Sequence, residues 1–138
     1  MQHFNLSELV DKHTFETMGE KAWTLFSPDL LEALEGIRTL FNAPVTVNNW
    51  DSGGPFQYRG YRPPECTVGA EHSYHRQGMA FDCDIVGSTA RQARSIILAN
   101  QNDPHLIKIQ RMEADVSWLH FDVGQIPKGK QRIYVFKG

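Results

Sequence analysis

Two histidines and an aspartate, His75, Asp82 and His120, sit in two short segments with strand-like alternation. The first segment is "SYHRQGMAFD" (Ser73–Asp82) and the second is "WLHFDV" (Trp118–Val123). Two imidazoles and one carboxylate are the ligand set of a catalytic zinc site. There, three protein ligands leave the fourth tetrahedral position open to water, whereas structural sites are closed by four. The same donors suit zinc well, with other divalent ions left open. The chemistry to expect is therefore metal-assisted hydrolysis.

Strand geometry explains how these residues can meet. Successive side chains of a strand point to opposite faces. Met79, Phe81, Cys83 and Ile85 are apolar and take the core face, which turns Ala80, Asp82 and Asp84 the other way. Leu119, Phe121 and Val123 likewise leave Trp118, His120 and Asp122 on the non-core side. Both ligand-bearing segments thus aim their polar sets away from the core. Gly78, between His75 and Asp82, permits a backbone angle that other residues resist. Ser73 is either an ordinary loop serine or a partner that steadies a metal-bound imidazole. Trp118 is a platform for a substrate or simply packs on the cleft wall. His3, His13, His72 and His105 read as ordinary surface or core histidines.

Elements must hold these segments in place. A short helix is expected around Phe15–Leu25. Ser27, Pro28 and Asp29 then read as N-cap, first position and acidic first turn of a longer helix. Its apolar stripe is Leu30, Leu31, Leu34, Ile37, Leu40 and Phe41, and Asn42-Ala43-Pro44 ends it. Val45–Trp50 reads as a strand. From Asp51 to Ser73 the chain carries four glycines and three prolines, the mark of a long functional loop. A further helix starts near Ser88 or Thr89 and stops before Asp103-Pro104. Strands over Leu106–Met112 and Ser117–Val123 form a hairpin around "EADV", and "RIYVF" (Arg132–Phe136) makes a last strand. The fold class is α+β, a small, mostly antiparallel sheet flanked by helices.

The chain has 138 residues, enough for one domain, residues 1–138, with a real core. Lys and Arg number 14 against 16 Asp and Glu, a net charge of -2, which argues against a nucleic-acid or anionic-membrane partner. No apolar run reaches the roughly 18–20 residues of a membrane span. "MQHFNLSELVDKH" has neither a basic leader nor an apolar core of a signal peptide, so synthesis in the cytoplasm is expected. Cys66 and Cys83 read as reduced, partly buried thiols, with a single bridge between them left open. Lys128, Lys130 and Arg132 read as a small solvated basic turn. Oligomeric state has no signature in the sequence.

The two segments match the pattern S-x-H-x-x-G-x-A-x-D followed by W-x-H, which resembles the Hedgehog/D-Ala-D-Ala peptidase fold. This group contains zinc D-alanyl-D-alanine carboxypeptidases and dipeptidases, phage L-alanyl-D-glutamate endolysins and the zinc domain of Hedgehog signalling proteins. The match covers roughly Val45 to Val123, and "GGPFQYRGYR" resembles the Gly-Tyr-Arg loop that precedes the first ligand. The resemblance implies zinc on His75, Asp82 and His120, and Arg62 reaching a substrate. It also implies a carboxylate general base just before the last histidine. Several members carry that base three residues upstream, where this chain has Ser117. A glutamate ending a strand ahead of the last histidine, as in Hedgehog-type domains, points to Glu113, with Asp115 second. Arg59 or Arg62 would hold a substrate carboxylate through a bidentate contact.

These features imply a zinc peptidase acting on peptidoglycan stem peptides, phage- or prophage-encoded and acting at the cell wall after release. The departure at Ser117 keeps a second expectation open, a zinc-binding interaction or structural domain without hydrolysis. A third is a zinc amidohydrolase on a non-wall substrate.

Overall fold

Asp11 opens the first helix: its carboxylate accepts the Thr14 amide at 3.0 Å in the computed structural model, which describes residues 1–70 and 72–138. That helix, α1 (Lys12–Met18), stops at Gly19, whose φ of 54° leaves the right-handed helical region. The chain continues as a 3-10 helix, Gly19–Leu25. The helix expected around Phe15–Leu25 is therefore two segments, broken where glycine allows the turn. Helix α2 (Pro28–Phe41) follows Ser27 and ends at Asn42, which adopts φ 48°. Its face of Leu30, Ala33, Leu34 and Ile37 is fully buried.

Five strands form one mixed sheet, ordered β1-β2-β4-β3-β5: β1 (Val45–Thr46), β2 (Ala80–Ile85), β3 (Arg111–Ala114), β4 (Leu119–Asp122) and β5 (Tyr134–Lys137). The β1–β2, β2–β4 and β3–β4 pairs are antiparallel, and β5 runs parallel to β3. Helix α3 (Ala90–Ala99) lies between β2 and β3 in sequence and starts from a capping box of Thr89 and Gln92. One sheet face carries Phe81, Cys83, Met112, Leu119 and Phe121, which join Leu30, Leu34, Ile37, Ala93 and Ile97 in a single core cluster. Each such large side chain contributes roughly 1.5–3 kcal/mol on burial, so the orientation of the sheet is set by this face. The polar set of β2, β3 and β4 is left on the other.

Three expected strands come out differently. The first is only Val45–Thr46 long, because the residues beyond it turn to side-chain partners. Asn48 Nδ2 and the Trp50 indole both donate to the Val10 carbonyl, at 3.1 and 2.8 Å. The strand expected over Leu106–Met112 begins only at Arg111. Before it, the chain turns through residues 101–108. Arg132 holds that stretch by donating to the carbonyls of Gln101, Leu106 and Ile109 at 2.8, 2.6 and 2.7 Å. Arg132 is thus a clamp rather than part of a solvated basic turn. With β3 displaced towards the C-terminus, Glu113 lies inside the strand and not at its end. The last strand likewise starts two residues later and ends one later than "RIYVF".

Candidate metal centre and its cavity

Antiparallel pairing sets Asp82 directly opposite His120. Side chains in that relationship have Cβ atoms about 4.5–5.5 Å apart, so the register alone joins a carboxylate to an imidazole. His120 Nδ1 lies 2.8 Å from Asp82 Oδ1. His75 arrives on the 3-10 turn Tyr74–Gln77, which closes at Gly78 with φ 67°. A Cβ on Gly78 would stand 1.8 Å from the Leu25 carbonyl oxygen, so both angle and space require glycine there. His75 Nε2 then lies 3.3 Å from Asp82 Oδ2. One ligand atom from each of the three residues falls within 4.8 Å of the others, and all three residues are buried. The group could hold a metal ion.

The second nitrogen of each ring has its own partner. His75 Nδ1 donates to the Gly60 carbonyl at 3.0 Å, which presents Nε2 as the ligand atom. His120 Nε2 donates to Asp122 Oδ2 at 2.9 Å, which presents Nδ1. Partners of this kind fix tautomer and ring orientation at metal-binding histidines. Asp122 has no exposed surface; besides His120 it accepts Arg111 Nε on both oxygens, at 3.0 and 3.1 Å, and the Gly124 amide at 3.0 Å.

Charges inside this group are balanced in pairs. Burial alone would raise the pKa of Asp82, but hydrogen bonds from His120 and His75 hold its carboxyl well below the usual carboxylate range. Burial alone would lower that of His120, yet Asp122 and Asp82 override it and raise the imidazole to about 9. Arg62 Nη2 adds a contact to Asp82 Oδ2 at 3.3 Å, while its Nε donates to the Tyr58 carbonyl at 2.8 Å. Without metal, Asp82 is thus surrounded by donors, and a divalent cation would replace protons on the same atoms.

A cavity of about 670 Å³ opens over this side of the sheet. Its walls include the three candidate ligands together with Arg62, Glu113, Trp118 and Ser73. Ser73 Oγ is buried and has no hydrogen-bond partner among the described residues. His72, read as ordinary, also lines it. Other expected site residues lie elsewhere. Asp115, at φ 61° in the turn after β3, is exposed and pairs with Lys137 Nζ at 3.5 Å. Arg59 grips Asp84 with both Nη groups, at 2.9 and 3.2 Å, over the Phe56 ring. Neither Asp115 nor Arg59 is part of the cavity wall. Ser117 lines a different cavity, with Cys83 and Arg94. Both cysteines are free and buried, and burial pushes the Cys83 thiol up, out of any nucleophilic role.

Several residues at the cavity were given no functional role by the sequence. Tyr74, Arg111 and Phe136 form part of the wall, and Asp122 anchors His120 from beneath. For Asp122 a signal was present, since it follows His120 by two and shares its face. For Arg111 and Phe136 none was, because their position depends on strand register. Arg76 is a further case. Its guanidinium donates to the Pro63, Pro64, Cys66 and Ala70 carbonyls, gathering the loop whose Val68–Ala70 segment borders the cavity.

No family model matches the chain, and no curated protein or solved structure matches it significantly.

Proposed function

We propose that this chain is a zinc-dependent peptidase that cleaves peptidoglycan stem peptides, with the Hedgehog/D-Ala-D-Ala peptidase fold. The bond would be of the D-Ala-D-Ala carboxypeptidase or L-Ala-D-Glu endopeptidase type. One observation carries the reading: a buried His75–Asp82–His120 group and the Glu113 carboxylate share one open cavity. Its volume falls inside the range of roughly 300–1,000 Å³ usual for small-molecule sites, enough for a short peptide segment. The peptidoglycan assignment rests on the resemblance of the two motifs.

His75, Asp82 and His120 would hold zinc, which would supply a Lewis acid for activating water near neutral pH and polarising a carbonyl. The chain's own groups do the rest. Glu113 is the general base: its carboxylate takes the proton of the attacking water and passes it to the leaving amine. Its position on the wall favours it over Asp115, which is paired with Lys137 at the surface. Asp122 and the Gly60 carbonyl hold the two imidazoles so that their ligand nitrogens stay aimed at Asp82. Arg62 steadies Asp82 and keeps a positive charge beside the reacting carbonyl. Ser73 Oγ offers a hydrogen bond to the peptide, and Trp118 an apolar wall.

The test is mass spectrometry of purified peptidoglycan digested with zinc-loaded protein, beside the Glu113→Ala variant. New peptide termini that vanish with the variant identify a peptidase and its bond. Bound metal with no products would overturn the reading in favour of a zinc-binding interaction domain or a different amide substrate.

A further inference from the structure

Arg111 is a cationic cavity residue that the proposed chemistry leaves unused. Its guanidinium is fixed from three sides: Nε sits on the Asp122 carboxylate, and Cζ lies 4.3 Å from the Phe136 ring centre and 5.0 Å from that of Tyr74. Stacking between two aromatic faces holds the plane of the fork without using its N–H groups. Neither Nη of Arg111 has a hydrogen-bond partner among the described residues, and the side chain lines the cavity. The neighbouring arginines differ. Both Nη groups of Arg59 are committed to Asp84, and Arg62 has Nε and Nη2 committed to Tyr58 and Asp82.

A preset guanidinium with an open pair of N–H donors matches a planar anion, and above all a carboxylate held bidentately. We infer that Arg111 is the binding site for a free carboxylate of the substrate. Strand geometry adds a distance. Arg111 and Glu113 are two positions apart on β3, on one face, which separates them by about 6.6–6.8 Å. Both side chains line the same cavity, so a carboxylate held by Arg111 and a peptide bond beside Glu113 can belong to one bound substrate. The inference deepens the peptidase reading in substrate choice, and the binding itself requires no turnover.

The probes are D-alanyl-D-alanine and its C-terminal amide, titrated by calorimetry into metal-free and zinc-loaded protein, wild type and Arg111→Gln. The carboxylate form should bind at least tenfold more tightly than the amide, in metal-free protein as well, and Arg111→Gln should erase that preference. Equal binding of the two probes by the wild type, or a preference that survives Arg111→Gln, overturns the proposal. Should the variant misfold, labelling of wild-type protein with an arginine-specific dicarbonyl decides. Arg111 must then be protected by D-alanyl-D-alanine and not by the amide; equal labelling overturns the proposal. Peptidase activity is scored separately on peptidoglycan. A carboxylate preference without cleavage sinks the peptidase reading and leaves the anion site standing, and cleavage without the preference does the reverse.

Discussion

His120 Nε2 lies 2.9 Å from Asp122 Oδ2, and Asp122 is completely buried. One imidazole edge is thereby tied to the sheet and the other, Nδ1, is turned to Asp82. A residue two positions away on the same strand decides which atom of His120 is available to a metal.

Asp122→Asn should weaken zinc binding by roughly 10- to 100-fold, the usual cost of removing a carboxylate behind a ligating histidine. Competition against a chromophoric chelator measures it. An unchanged affinity would mean that Asp82, His75 and Phe136, the other neighbours of the ring, orient His120 without Asp122.

Glu113→Gln should keep the metal and lower kcat by about 10²- to 10⁴-fold, the range for loss of a general base. Asp115→Ala should stay within about twofold of wild type, since Asp115 is an exposed partner of Lys137. Steady-state rates on a cleaved stem peptide compare the two, and the opposite ranking would transfer the base to Asp115.

Metal affinity should fall as the solution is acidified. In the metal-free protein His120 is raised to about 9, so near neutral pH its ligand nitrogen carries a proton that a metal must displace. Binding should release about one proton at pH 7, and apparent affinity should drop about tenfold per pH unit below 9. Asp82, held below the usual carboxylate range, is already ionised there and adds nothing to this slope. Calorimetry in buffers of different ionisation enthalpy counts the protons. Zero release would show that His120 is neutral before the metal arrives.

Gly78→Ala combines a left-handed φ of 67° with a Cβ 1.8 Å from the Leu25 oxygen. The backbone conformation alone costs of order 1–3 kcal/mol, and relieving the clash must move the turn that carries His75. Urea unfolding should show a loss of at least that size, together with weaker zinc binding. A variant as stable as wild type would mean that the turn tolerates a different path.

Much of the site was legible in the one-dimensional pattern. The alternation of Phe81, Cys83, Leu119 and Phe121 with Asp82 and His120 needs no structure to interpret, because a strand sorts odd and even positions onto opposite faces. The α2 boundaries at Ser27 and Asn42 were equally plain, although Ser27 makes no side-chain cap bond: Pro28 suits the first helical turn and Asn42 takes the left-handed conformation that ends it. The strand over Leu106–Met112 was misplaced for a physical reason. Leu106 and Ile109 are buried because Arg132 folds their carbonyls into turns, and apolar residues buried by a turn resemble those of a strand.

Residue types and local spacing by themselves determined an α+β chain with His75, Asp82 and His120 as its metal-ligating candidates, since both follow from short-range geometry. Which acid borders the cavity, which arginines are committed to partners and which nitrogen of each histidine faces Asp82 were decided only by the tertiary structure. These depend on the register of β2 on β4, the parallel seat of β5 on β3 and the path of the Asp51–Ser73 loop. Such pairings join residues dozens of positions apart, and no local preference specifies them.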